Sequence, residues 1–122
     1  MKRFTSLVIA AALMATPSAF AHESTGPNGG RTVDAGEYHV ELVVQPTEVA
    51  VFLTDASDKP VPATGFKGTA IFMAEGKAQR ITLEPGQNNQ LTGKSNVALP
   101  ANAKGAVQLT APGGKTAQGQ FN

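Results

Sequence analysis

The chain has 122 residues, no cysteine and a formal net charge of +1, and 41% of its residues are hydrophobic. This length is typical of a single domain that buries its own core. The absence of cysteine excludes disulfides, thiolate metal sites, thiol catalysis and a lipidated cysteine, and basic residues scattered singly without interleaved aromatics argue against nucleic acid as a partner.

Residues 1–21 predict a cleaved export signal. Lys2 and Arg3 precede an apolar stretch at 7–15, and Ala19-Phe20-Ala21 forms a small-residue cleavage site. The apolar stretch is shorter than the roughly 20 residues that cross a bilayer, so an uncleaved anchor is the less favoured alternative. We therefore expect a mature protein that begins at His22, has no membrane span and lies in the periplasm.

Charge is distributed unevenly once this leader is set aside. Removing its two bases, which no acid balances, makes the net charge slightly negative. Residues 22–58 hold seven acids and one base, whereas residues 59–122 hold seven bases and two acids. This asymmetry either balances two faces of one fold or gives the N-terminal half a cation-attracting field.

The next segment, residues 22–36, is rich in glycine. Gly26-Pro-Asn-Gly-Gly30 has neither the Gly-Lys-Ser/Thr ending of a phosphate-binding loop nor a helix after it. A tight turn is the expected structure, and it would fold the N-terminus back toward the strand that contains His39.

Strict alternation begins at residue 37 and continues to residue 44. Tyr38, Val40, Leu42 and Val44 point one way and the intervening residues the other, which predicts a half-buried strand. Similar patterns predict further strands, and Glu75-Gly-Lys77 and Pro112-Gly-Gly114 predict hairpins. The later strand predictions are 49–53, 66–74, 78–84, 90–93, 95–99, 105–111 and 115–121.

These elements predict an all-β fold. We expect a small antiparallel β-sandwich, immunoglobulin-like, with seven to eight short strands after the cleaved signal helix. The domain prediction is a signal peptide at 1–21, an N-terminal Gly-rich segment at 22–36 and the β-sandwich domain at 37–122.

Catalytic patterns are weak throughout the chain. The serines after the leader lie in turn contexts without a nucleophile elbow, and a compact sandwich seldom forms the deep cleft that paired-carboxylate hydrolysis requires. We therefore expect a protein that is not an enzyme.

The residues that favour metal chemistry are the two histidines of the chain. A terminal His22 would offer both its α-amine and its ring, and His39 would add a third nitrogen, a set that suits Cu(II). Glu37 and Glu41 flank His39 at about 6.5–7 Å along the strand and complete the predicted ligands. The alternative is that His22 is coincidental and His39 is a solvated strand residue. Glu23 and Asp34 are further oxygen candidates.

Met73 is the only methionine after the leader. It alternates with Phe72 in a predicted strand, and we interpret it as a packing residue rather than a Cu(I) ligand.

Several elements resemble those of known proteins. Gly-Pro-Asn-Gly-Gly30, Tyr-His-Val-Glu-Leu-Val-Val44, Gly-Lys-Ala-Gln-Arg-Ile-Thr-Leu83 and the terminal Gly-Gly-Lys115 hairpin are similar to small periplasmic proteins of uncharacterised function and to the N-terminal segments of heavy-metal efflux adaptor proteins. The resemblance implies a periplasmic β-domain in a metal-handling context, with His22 and His39 at matching positions. A weaker similarity is to periplasmic copper-binding proteins that begin with a histidine, but their methionine-rich segment is missing.

The sequence thus predicts a periplasmic metal-binding protein, for Cu(II) or alternatively Zn(II), that acts as a buffer or carrier in metal homeostasis or efflux. The alternative from another class is a non-metal β-sandwich interaction module that docks to a membrane or efflux partner.

Overall fold

The computed structural model describes residues 23–122, and the predicted signal peptide and His22 lie outside these residues. The described chain is all-β and contains no helix. No segment of it is therefore a helix of the length and apolar character that crossing a membrane requires. The nine strands are β1 (Ser24–Thr25), β2 (Arg31–Ala35), β3 (Tyr38–Gln45), β4 (Glu48–Thr54), β5 (Lys67–Ala74), β6 (Lys77–Pro85), β7 (Gln90–Lys94), β8 (Gly105–Thr110) and β9 (Thr116–Phe121).

All neighbouring strands are antiparallel and form one sheet in the order β1-β2-β3-β4-β7-β6-β5-β8-β9, which curls into a half-barrel. The all-β, antiparallel prediction is confirmed, whereas the immunoglobulin-like sandwich stays a prediction. We call β1, β2, β3, β4 and β7 the N-terminal half of the sheet, and β5, β6, β8 and β9 the C-terminal half. The halves join where the end of β6 leaves β5 and pairs with β7, at Glu84↔Thr92 and Pro85↔Leu91.

Alternation places the core on the concave side of the sheet. Most of the alternate residues of the long strands are buried there, and the largest fully buried side chains include Phe72, Phe121, Leu42 and Leu53. The inner faces of β2 and β9 pack together although these strands exchange no ladder hydrogen bonds. Gly119 permits this approach, because a Cβ there would lie 2.9 Å from Val33.

A polar clamp joins the two ends of the described chain. Glu23 Oε1 accepts a hydrogen bond from the Asn122 backbone N–H at 2.7 Å and lies 3.9 Å from an Arg31 guanidinium nitrogen. Arg31 lies over the Phe121 ring, 5.4 Å from its centroid, and donates to the Ala103 carbonyl at 2.6 Å. The N-terminal edge is thereby held against the C-terminal half of the sheet.

Two local predictions are wrong. Residues 95–99 alternate in polarity but form no strand: the Ser95 and Leu99 amides donate to the Thr47 and Pro46 carbonyls in the β3–β4 turn. Met73 is not a packing residue, because alternation turns Phe72 into the core and leaves Met73 51% exposed. Residues 31–35, placed in the Gly-rich segment by the sequence, form β2 of the same sheet.

Candidate metal site

The β2–β3 hairpin brings Asp34 and His39 together on the convex face of the sheet. The two residues are direct cross-strand partners, and their neighbours Val33 and Val40 face the core. A two-residue turn with Gly36 at φ 60° fixes this register. As a result, His39 Nε2 lies 3.2 Å from Asp34 Oδ1.

A second carboxylate reaches His39 from the loop after β4. Asp58 Oδ1 lies 2.9 Å from His39 Nδ1. Asp58 takes a left-handed conformation with φ 62°, which an aspartate tolerates better than most residues. His39 is thus held between two carboxylates, one at each ring nitrogen.

Asp55 organises the loop that carries Asp58. Its Oδ1 accepts hydrogen bonds from the backbone amides of Ser57 at 2.8 Å and Lys59 at 3.0 Å. These hydrogen bonds lower the pKa of the Asp55 carboxyl from its usual value, and the bond from the Lys59 amide has the larger effect. The positive charge of Lys59 lowers this pKa as well. The loop therefore has a defined shape rather than relying on the Asp58–His39 contact alone.

The three side chains differ in exposure. The His39 side chain is 29% exposed, whereas those of Asp34 and Asp58 are 77% and 80% exposed. The imidazole is supported by the sheet and the carboxylates extend into solvent, so an ion can reach the cluster without a conformational change. A surface depression of about 340 Å³, whose lining includes Phe52, Thr54 and Asp58, adjoins it.

Glu37, predicted as a ligand, lies in the hairpin turn one residue before β3 begins. Its carboxylate is 4.0 Å from the Lys115 ammonium and 59% exposed. Burial raises the pKa of the Tyr38 phenol, and the adjacent Glu37 charge and hydrogen bond raise it further. The structure gives no contact between Glu37 and His39.

Glu41, also predicted as a ligand, is only 4% exposed. Its Oε2 accepts the backbone N–H groups of Asn28 at 2.9 Å and Gly30 at 2.8 Å, and its Oε1 accepts the Asn28 side-chain amide at 2.9 Å. The Gly-rich turn therefore folds over the strand that contains His39, as expected, and engages this carboxylate. Glu41 would have to give up these bonds to bind a metal.

His22 lies outside the described residues. Its neighbour Glu23 is described, and the Glu23 carboxylate is engaged by Asn122 and Arg31 rather than by His39. Within residues 23–122, no three His, Asp or Glu side chains form a group that could hold a metal ion. The described part of the candidate site is thus one histidine with two carboxylates on different ring nitrogens.

No match was found among known protein families, curated proteins or solved structures. The resemblance to efflux adaptor segments therefore stays a prediction, and the function must be argued from the residues.

Asp58 is the member of the cluster that sequence reasoning missed. Asp55-Ala-Ser-Asp-Lys59 is an aspartate-initiated turn, and Thr54 is the cross-strand partner of His39. Those two facts together would place Asp58 near His39. The sequence alone indicates the turn but does not supply the register of β3 on β4.

Proposed function

We propose that the protein binds a divalent transition metal, Cu(II) in preference to Zn(II), at His39 and Asp34. The observation that carries the proposal is the pair of contacts at His39, 3.2 Å from Nε2 to Asp34 and 2.9 Å from Nδ1 to Asp58. Each contact fits a different part of a metal site.

The Nε2 contact fits two donors on one ion. An ion about 2.1 Å from both atoms would separate them by about 3.0 Å at a right angle and about 3.4 Å at the tetrahedral angle. The observed 3.2 Å lies between these values. Asp34 and His39 thus need little adjustment to bind one ion.

The Nδ1 contact fits an outer-shell carboxylate. A metal-bound histidine usually donates its other ring N–H to a carboxylate, carbonyl or water, which fixes the tautomer and the ring orientation. Asp58 offers that acceptor at 2.9 Å. We assign Asp58 an orienting role and Asp34 a ligand role.

Further donors are proposed to come from the mature N-terminus. β1 runs antiparallel to β2 and pairs Ser24 with Thr32, two residues before Asp34. A terminal His22, free at its amine after cleavage, is proposed to add two nitrogens to the donors of Asp34 and His39. A ligand set of three nitrogens and one oxygen suits tetragonal Cu(II). If fewer nitrogens bind the ion, Zn(II) is the alternative metal.

The cellular role that we propose is a periplasmic buffer or carrier in metal homeostasis or efflux. It rests on the predicted export signal, on the solvent-accessible position of the Asp34–His39–Asp58 cluster, and on the resemblance to efflux adaptor segments. Protein recovered from the periplasmic fraction should begin at His22, which intact-mass measurement would show. We also propose that the half-barrel belongs with the immunoglobulin-like sandwiches, which an experimental structure would test.

Copper titration of protein with a verified His22 terminus tests the site. We expect one Cu(II) per chain, with nitrogen hyperfine structure in electron paramagnetic resonance. His39→Ala, Asp34→Asn and one extra residue before His22 should each weaken binding by about 100-fold, and Asp58→Asn by about tenfold.

Three further variants sharpen the test. Glu48→Gln removes an exposed acid from the far end of β4 and serves as the matched control, with unchanged affinity expected. Glu37→Gln and Glu41→Gln ask whether these glutamates, rather than Asp34, supply the oxygen ligand. Wild-type affinity weaker than micromolar, or affinity insensitive to His39, would refute the metal function and favour the interaction module.

A further inference from the structure

We propose that the convex face of the C-terminal half of the sheet binds the surface of a bilayer rich in anionic phospholipid. This proposal does not depend on metal binding. It starts from Met73, which is the exposed large hydrophobic residue within residues 23–122.

Cross-strand register defines the surroundings of Met73. Ala78 is the direct cross-strand partner of Met73 on β6. On the other side of β5, the Met73 backbone N–H donates to the Lys104 carbonyl at 3.0 Å. The next row holds Ile71, with Arg80 on one side and Ala106 on the other. We call these six residues, Ile71, Met73, Ala78, Arg80, Lys104 and Ala106, the Met73 face.

The Met73 face is apolar at its centre and basic at its margin. Arg80 and Lys104 are exposed, and no acid shares the two rows. Lys67 adds a third base farther along β5, and Glu84 is the one acid at the corresponding convex positions of β5, β6, β8 and β9. Threonine and glutamine fill most of the remaining strand positions. The adjoining β5–β6 turn adds the exposed acid Glu75, and β6 begins with the exposed base Lys77, so bases still outnumber acids around this face.

The opposite charge collects on the other half of the sheet. The convex side of β2 and β4 presents the exposed acids Asp34 and Glu48, and the exposed Asp58 lies beside His39. The uneven distribution of acids and bases along the sequence therefore corresponds to the two halves of one curved sheet. A negative surface would attract the C-terminal half and repel the N-terminal half, which gives the docked protein a preferred orientation.

A lipid surface fits this face better than a folded partner does. The Met73 side chain is flexible and apolar, and it lies between Arg80 and Lys104 on the same face of the sheet. Its thioether chain can therefore enter the headgroup region while the two bases contact phosphates. Docked in this way, the protein would keep the Asp34–His39–Asp58 cluster away from the bilayer.

Vesicle sedimentation tests the proposal with the protein that begins at His22. Each base near an anionic surface raises partitioning about fivefold, so three bases favour phosphatidylglycerol-containing vesicles over phosphatidylcholine vesicles by a factor on the order of 100. Arg80→Gln and Lys104→Gln should each lower partitioning about fivefold. The single variant Met73→Ser should also weaken partitioning, but it should leave the salt dependence of partitioning unchanged.

Lys94→Gln is the matched control, because it removes one exposed base from the other half of the sheet. It should leave partitioning unchanged. Equal binding to both vesicle types, or a Lys94→Gln effect as large as that of Arg80→Gln, would overturn the proposal. Binding to soluble poly-glutamate but not to vesicles would also overturn it, in favour of an acidic protein partner.

Discussion

Replacing Glu41 should destabilise the fold without weakening metal binding. This carboxylate receives two backbone N–H groups and one side-chain amide from the Gly-rich turn. In Glu41→Ala those donors lose their acceptor, and a buried donor without a partner costs roughly 1–3 kcal/mol. The Gly30 amide is buried, whereas the Asn28 donors are partly exposed and can turn to water.

We therefore expect Glu41→Ala to lower the free energy of unfolding by about 2–4 kcal/mol. For a domain of this size that corresponds to a fall in the melting temperature of roughly 10–25 °C. Glu41→Gln keeps the acceptor for both backbone amides, and a flipped Asn28 side chain can accept from the new amide. Its loss should be smaller, about 1–2 kcal/mol, because the hydrogen bonds are no longer charge-assisted.

Urea denaturation followed by circular dichroism measures both variants, and amide exchange at Gly30 reports whether the turn has opened. Glu48→Ala is the control, since that side chain is exposed, and its effect should stay within about 0.5 kcal/mol. A Glu41→Ala loss below about 1 kcal/mol, with Gly30 still protected, would refute the assigned role. A Glu41→Gln variant that folds normally but loses Cu(II) would show that Glu41 is a ligand after all.

Three further predictions concern acid, backbone packing and ligand linkage. The pKa of Asp55 is lowered on folding, so its contribution to stability is present above about pH 4 and is lost as pH falls through the lower folded value. The urea midpoints of wild type and Asp55→Ala should therefore converge as pH falls below about 4, and a gap that widens in acid would contradict this. Gly30→Ala should destabilise the fold by more than about 1 kcal/mol in urea denaturation, because its Cβ would clash with the Leu42 carbonyl oxygen. Gly113→Ala, whose Cβ would meet nothing within 4 Å, should be nearly neutral, and equal effects would contradict the close approach at Gly30. At 100 times the wild-type dissociation constant, Cu(II) should stabilise wild type by about 2.7 kcal/mol in thermal unfolding. Because His39→Ala should bind about 100-fold more weakly, the same concentration should stabilise it by only about 0.4 kcal/mol, and an equal shift in both would place the copper elsewhere.

Local alternation was sufficient to predict much of the sheet. The pattern from Tyr38 to Val44 predicted β3, and Pro112-Gly-Gly114 predicted the β8–β9 hairpin. Residues 95–99 show where that reasoning fails. Val97 and Leu99 alternate as strand residues do, yet a strand also needs a partner edge, and the backbone there bonds to the β3–β4 turn instead.

The site was less accessible to sequence reasoning because its contacts cross between strands and loops. The alternation of residues along a strand correctly predicts that His39 and Glu41 lie on the same side of β3. It does not predict that the Gly-rich turn covers Glu41 and leaves His39 accessible. Asp34 and Asp58 reach His39 through a cross-strand pair and a loop, at separations that no local spacing encodes. His22 stays a prediction, since it lies outside the described residues.

The Glu23–Asn122 hydrogen bond has a practical consequence for anyone who purifies the protein. Because the first and last described residues touch, a peptide fused after Asn122 starts beside the position where a mature N-terminus would emerge. A polyhistidine tag fused there would therefore deliver extra imidazoles close to Glu23, the residue after the proposed ligand His22, and would mimic or mask native copper binding. A tag-free preparation is needed for the titrations, and the same proximity makes the chain suited to circular permutation through a short linker.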